Sequence, residues 1–249
     1  MMTEVFETKI CKIHGEFQAM ATSTLGRTFY SSCQSCTKDF EDMKAQRSAA
    51  RKAEELKTTI ERARANSKIP PRFAKCSFDN FRITNEGQEK ALTVAKAYTA
   101  DWTQANADGR CLIFSGKAGT GKTHLACAIA NELIEQGSYA KFYTVTGLLR
   151  RIKECFAKES KETESEMIDN FSHVELLILD EAGMDYGTEF NKTLMFEVLN
   201  RRYENMNPTI VITNLDMGAL KEYFGDRILD RMREGGGKMV SFNWESQRK

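Results

Sequence analysis

Eight consecutive residues, Gly116, Lys117, Ala118, Gly119, Thr120, Gly121, Lys122 and Thr123, satisfy the pattern G-x-x-x-x-G-K-[ST] at every position. Glycines at these spacings let backbone N–H groups close around phosphate oxygens, and a helix starting at the last residues adds its positive end. The chemistry is triphosphate binding. Lys122 would reach the β- and γ-phosphates, and the Thr123 hydroxyl would hold Mg2+. Such a loop needs a strand before it and a helix after it. Cys111-Leu112-Ile113-Phe114-Ser115 reads as a buried strand, and His124 to Gln136 reads as the helix. Gly116 through His124 are therefore the candidate nucleotide-binding residues.

Further along, Val174 to Leu179 is a nearly continuous apolar run that ends in Asp180-Glu181. At the end of a strand beside the P-loop, Asp180 can hold Mg2+ through its water shell. Glu181 can orient and deprotonate the attacking water. Asn214 follows the next apolar strand, Thr209 to Thr213, where it can hydrogen-bond the γ-phosphate or the water. Residues 225–233 form a short helix dense in arginine, Arg227, Arg231 and Arg233. Near a triphosphate such an arginine neutralises transition-state charge. A solvent-facing helix pairing Asp with Arg fits the composition equally well, and Arg248 is open in the same way.

A different chemistry lies near the N-terminus. Cys11 and His14 form a C-x2-H pair, and Cys33 and Cys36 form a C-x2-C pair. Two knuckles of this kind facing each other give a tetrahedral Cys3His zinc site. With few apolar residues around them, the metal would supply the folding energy. Short β-like stretches such as Arg27 to Tyr30 suggest a zinc ribbon.

The elements that must position these groups are legible in outline. From Lys38 to Lys68 the chain is rich in Ala, Glu, Lys and Arg and lacks Pro and Gly, so a long exposed helix is expected. Pro70-Pro71 ends it. Beyond, apolar strands (Ala140 to Val145 among them) alternate with helical stretches such as Leu148 to Lys158 and Phe190 to Asn205. This succession implies an α/β fold with a parallel sheet flanked by helices. The expected organisation is a zinc-binding module over 1–37, a charged helix over 38–69 and an ATPase domain over 70–249. Lys+Arg number 36 and Asp+Glu 35, so overall charge does not point to nucleic acid. Seven cysteines, an odd number, and the lack of a signal-like N-terminus argue for reduced thiols and a cytosolic protein. Cys111 and Cys127 read as core residues.

Taken together, the P-loop, Leu179-Asp180-Glu181, Thr213-Asn214, the run from Asp226 to Arg233 and the stretch from Ser241 to Arg248 resemble the DnaC family of AAA+ proteins, the bacterial and phage helicase loaders. The resemblance begins near Cys76-Ser77-Phe78-Asp79-Asn80-Phe81 and implies that Phe78 and Phe81 lie near the adenine. It also implies that Lys122 and Thr123 fill the Walker A roles, Asp180 and Glu181 Walker B, and Asn214 sensor 1. Arg231 would be the arginine finger acting on a neighbour's ATP, and Arg248 the sensor-2 arginine. The helical insert over 148–172 matches the region the family uses for single-stranded DNA, with Arg150, Arg151, Lys153 and Phe156 as candidates. The implied partners are a replicative helicase of the DnaB type, single-stranded DNA and further copies of the chain assembled head to tail. The best-known enterobacterial members lack the zinc pattern, whereas some related loaders carry a zinc-bearing N-terminal domain that grips the helicase. Two other readings fit the same residues: an IstB-type transposition helper that binds duplex DNA, and a zinc adaptor that binds nucleotide but barely hydrolyses it.

Overall fold

The computed structural model describes residues 5–24, 26–157, 161–184 and 188–247. By contacts the chain divides into two compact units, Met1–Thr58 and Thr59–Lys249.

In the first unit, strands β1 (Val5–Cys11), β2 (Gly15–Thr24) and β3 (Arg27–Tyr30) form an antiparallel sheet. Helix α1 (Gln34–Asn66) follows and continues into the second unit. It starts four residues before the expected Lys38, so Cys36 sits in its first turn. The division by contacts falls inside this helix, whereas Pro70-Pro71 marks the boundary by composition. Its last turns carry Ile60 and Ala63 into the apolar core of the second unit.

The second unit is built on five parallel strands: β4 (Leu112–Gly116), β5 (Ala140–Thr144), β6 (Leu176–Ala182), β7 (Thr209–Thr213) and β8 (Lys238–Phe242). Their order across the sheet is β5-β6-β7-β4-β8. Strand residues alternate between the faces, as the period of two requires. Leu112, Phe114, Ile210 and Ile212 pack on one face against α2 (Glu86–Ala100), α3 (Trp102–Ala107) and α4 (Lys122–Glu135). Ile113, Val211, Leu177 and Leu179 pack on the other. There they meet α5 (Val145–Lys153), α6 (Glu164–Ser172), α7 (Glu189–Glu204), α8 (Met217–Phe224) and α9 (Asp226–Arg233). Both faces being covered explains why these strands read as continuous apolar runs. Among the described residues no helix is long and apolar enough to cross a membrane.

One expectation is corrected. The strand that carries Asp180 does not lie beside the P-loop strand, because β7 is hydrogen-bonded between them. Sequence order cannot give this arrangement, since βαβ connections leave the strand order open.

The leading ends of β6 and β7 are tied by Arg202, which is 1% exposed. Its guanidinium donates to the carbonyls of Phe171 (2.7 Å), Val174 (2.8 Å) and Pro208, and to the Thr209 hydroxyl (2.8 Å). Burial pulls its pKa down to about 10, which leaves it charged at neutral pH. Replacing it would orphan these buried acceptors. Arg202→Met is expected to lower unfolding stability by about 3 kcal/mol in urea titration. A loss below about 1 kcal/mol would show that the carbonyls find other partners.

Candidate nucleotide site and metal centre

The P-loop spans the exit of β4 and the start of α4. Gly121 holds φ at +95° as the residue before the helix, and a Cβ there would come within 2.9 Å of the Phe81 ring. Both the backbone angle and the contact require glycine. Phe81 is buried and meets His124 edge-on, with centroids 5.5 Å apart. The His124 Nε2 lies 3.1 Å from the Ser77 carbonyl. The structure thus brings the 77–81 segment against the first turn of the P-loop helix, and Phe78 packs on the same core.

Lys122 is buried to 6% exposure, and its ammonium donates to the carbonyls of Gly116 (2.5 Å) and Lys117 (2.7 Å) and to Asn214 Oδ1 (2.8 Å). Thr123 Oγ1 donates to Asp180 Oδ2 at 2.9 Å, and Asp180 Oδ1 accepts the Glu181 N–H at 2.8 Å. Burial, the dominant influence, raises the Asp180 pKa, partly countered by the Thr123 hydrogen bond. A hydroxyl and a partly buried carboxylate meeting at this distance at a helix N-terminus are the donor set that fits Mg2+. Glu181 sits in the left-handed region at φ 61°, where the ladder between β6 and β7 is irregular from Leu179 to Ala182. Non-glycine residues hold this conformation at a cost of about 1–3 kcal/mol, and here it turns the exposed Glu181 away from the regular alternation.

The other expected site residues lie elsewhere. Arg231 is half-buried and lines a small hollow with Gly109, Cys111 and Asn207, at the leading ends of the strands. The P-loop is at their trailing ends, about 15 Å away for a five-residue strand. The Arg231 guanidinium donates to Asn200 Oδ1 and lies 4.6 Å over the Tyr203 ring, whose hydroxyl donates to Glu234 at 2.7 Å. It therefore cannot serve the nucleotide site of its own chain. Arg227, one turn earlier, is exposed, with its guanidinium 6.0 Å from the Phe196 ring. Arg248 lies outside the described residues.

On the insert, α5 ends in a single 3-10 turn and α6 follows. Arg150 is exposed, while Arg151 is paired with Glu154 (3.0 Å) and Glu162 (2.8 Å) and has little charge left to offer. Lys153 donates to Asn191 Oδ1 at 2.7 Å and lies 5.7 Å from the Phe190 ring. Phe156 and Phe190 form an exposed pair with centroids 5.9 Å apart. Sequence reading missed Phe190 because it is distant in the chain and looks like an ordinary helix residue.

In the first unit, Cys11, His14, Cys33 and Cys36 offer ligand atoms that all lie within 4.8 Å of one another. Cys11 Sγ is 3.4 Å from Cys36 Sγ, and His14 Nδ1 is 3.3 Å from Cys36 and 3.8 Å from Cys11 and from Cys33. Ligands of tetrahedral zinc are spaced by about 3.8 Å, so the set fits that metal. Backbone N–H groups of Ile13 and His14 push the Cys11 thiol down to about 6, while its hydrogen bond to Cys36 pushes that thiol up to about 11, so without a metal the two share one negative charge. Only the first pair lies on a hairpin turn between β1 and β2. The second pair flanks the start of α1, a correction to the expected facing knuckles. The Asp39 carboxylate lies 3.0 Å from His14 Nε2 and would orient the ring, a role its sequence position did not signal.

The parallel sheet with its nucleotide loop, and the Lys122, Asp180 and Asn214 groups converging on it, define a P-loop ATP-binding protein of the AAA+ class. The chain belongs to the IstB-like ATP binding protein family, which matches residues 9–249. It is 37% identical over 204 residues to the replicative helicase loader DnaC of Escherichia coli (strain K12), covering 81% of each chain. A solved DnaC helicase loader matches the fold with a TM-score of 0.61 at 21% identity, over 69% of this chain and 99% of that one. AMPPCP-bound DnaA from Aquifex aeolicus matches with a TM-score of 0.55 at 25% identity, over 70% of this chain and 50% of that one.

The four-ligand cluster generates a direct expectation. Freshly purified protein should carry about one zinc per chain by metal analysis, and Cys33→Ser should lose it. A metal-free preparation that keeps the fold of residues 5–24 would contradict the assignment.

Proposed function

We propose that this protein is an ATP-switched helicase loader of DNA replication. The observation that carries the reading is the identity to a replicative helicase loader over four-fifths of both chains, joined to an intact set of hydrolytic residues. Lys122 would exchange its loop carbonyls and Asn214 for phosphate oxygens. Thr123 and Asp180 would hold Mg2+, which neutralises charge on the β- and γ-phosphates. Glu181 would orient and deprotonate water, with Asn214 fixing that water or the γ-phosphate. Phe78, Phe81 and His124 would lie on the base side of the nucleotide.

Arg231, at the opposite end of the sheet, would act on ATP held by the next subunit. Such a contact joins unlike surfaces and so builds head-to-tail rings or filaments. Arg248 would read the nucleotide within its own subunit. The exposed Phe156–Phe190 pair with Lys153 and Arg150 would stack and steer single-stranded DNA. Zinc would hold Cys11, His14, Cys33 and Cys36 together and so maintain the N-terminal module that grips a DnaB-type helicase in the cytosol. ATP binding would favour the DNA-gripping state and slow hydrolysis would release it.

The name of the family itself keeps a transposition-helper reading in view, and DNA preference separates the two. The loader should show ATP turnover stimulated by single-stranded DNA more than by duplex, and Phe190→Ala should weaken that response. Arg231→Ala should bind Mg-ATP like the native protein yet lose about 10³-fold in stimulated turnover. Mixing it with Lys122→Ala chains should restore part of the rate, because each supplies what the other lacks at a shared interface. Turnover that survives in Arg231→Ala, or a mixture with no recovery, would remove Arg231 from the mechanism. Stimulation by duplex alone would favour the transposition helper.

A further inference from the structure

Beyond β8, residues 243–247 cross the outside of the P-loop. Trp244 Nε1 donates to the Thr120 carbonyl at 2.9 Å, and the Gln247 backbone N–H donates to the Gly119 carbonyl at 2.8 Å. The Gln247 side chain reaches the Arg82 carbonyl at 3.0 Å, just after Phe81. The Trp244 ring packs tilted at 41° against Phe242, with centroids 4.8 Å apart, and lies so close to α2 that a Cβ on Gly87 would come within 3.0 Å of it. Glu245 adds an exposed ion pair with Lys117 at 3.6 Å.

We infer that residues 243–247 form a strap that sets the P-loop in its phosphate-binding shape, with Trp244 and Gln247 as positioning residues for nucleotide. A P-loop binds phosphate through backbone N–H groups that converge inward, and in a trans peptide the carbonyl of the same peptide plane then faces outward. Two of those outward carbonyls, on consecutive residues, are bonded by the strap. Fixing them fixes the peptide planes, and so the direction of the N–H groups on the other side. The Arg82 contact ties the same strap to the segment that carries Phe81. One short stretch thereby couples the phosphate loop to the neighbouring Phe81–His124 side of the site. Neither residue touches the reacting atoms.

Coupling of this kind is reciprocal: if the strap favours nucleotide binding, nucleotide must favour the strap by the same factor. An unstrapped loop is competent only part of the time, and apparent affinity falls by that fraction. The inference rests only on the chain binding ATP, not on its acting as a loader.

Trp244→Phe keeps a ring against Phe242 and Gly87 but removes the donor to Thr120. Gln247→Pro removes the donor to Gly119 at a position near the chain end. Calorimetric titration of full-length protein with Mg-ATP and Mg-ADP should show each variant about five- to tenfold weaker for both nucleotides, while the thermal midpoint stays near that of the native protein. Hydrogen exchange of the native C-terminal peptide should slow when Mg-ADP is added, and should slow less in Trp244→Phe. A purely structural strap would shift the thermal midpoint and leave the nucleotide dependence of exchange absent. Native affinity in both variants, or exchange in 243–247 indifferent to nucleotide, would overturn the inference. Native protein that binds no nucleotide would instead overturn the ATP-binding reading itself.

Discussion

The structure depends on β7 lying between the strand that feeds the P-loop and the strand that carries Asp180. Neighbouring strands are about 4.8 Å apart, so the backbones of β4 and β6 are separated by about twice that distance. That leaves a gap between the two strand ends. It is bridged from the helix side by Thr123, which reaches Asp180, and from the middle strand by Asn214, which reaches Lys122. The β6–β7 pairing is itself held at its far end by buried Arg202, whose bonds go to neutral oxygens and whose cost of burial is offset by their number.

The same sheet separates the functions of the chain. Its trailing end carries the nucleotide groups, whereas its leading end carries Arg231 with Asn200, Tyr203 and Glu234. If Arg231 acts on ATP as proposed, its place at the leading end requires that the ATP be held by another subunit. A second, aromatic surface lies on the 3-10 turn after α5 and on α7, where Phe156 meets Phe190. The cysteine and histidine cluster belongs to the first unit, whose small sheet leaves Phe6, Ile10 and Phe29 exposed and buries little beyond Ala19 and Cys33. A zinc ion held by the cluster would supply folding energy that so small a core lacks.

What was legible in the sequence has a local cause. The P-loop, the apolar run ending in Asp180-Glu181 and the paired cysteine spacings are short patterns in which chemistry and geometry are set by adjacent residues, and the parallel sheet follows from strands buried on both faces. What was not legible is non-local. The position of β7 depends on the order in which strands pack. Phe190 joins Phe156, and Asp39 joins His14, only once helices have packed. The second cysteine pair lies at a helix start because α1 begins at Gln34, ahead of the composition signal. Arg151 read as a DNA contact, yet folding brings Glu154 and Glu162 to it. The strap over the P-loop was invisible for the same reason, since Trp244 and Thr120 are far apart in the chain.

The most direct measurement of the central claim is co-elution on a sizing column with the replicative helicase of the same cell, with and without ATP. The account predicts a stable complex that is lost when residues 1–68 are removed. Absence of a complex in both conditions would contradict it.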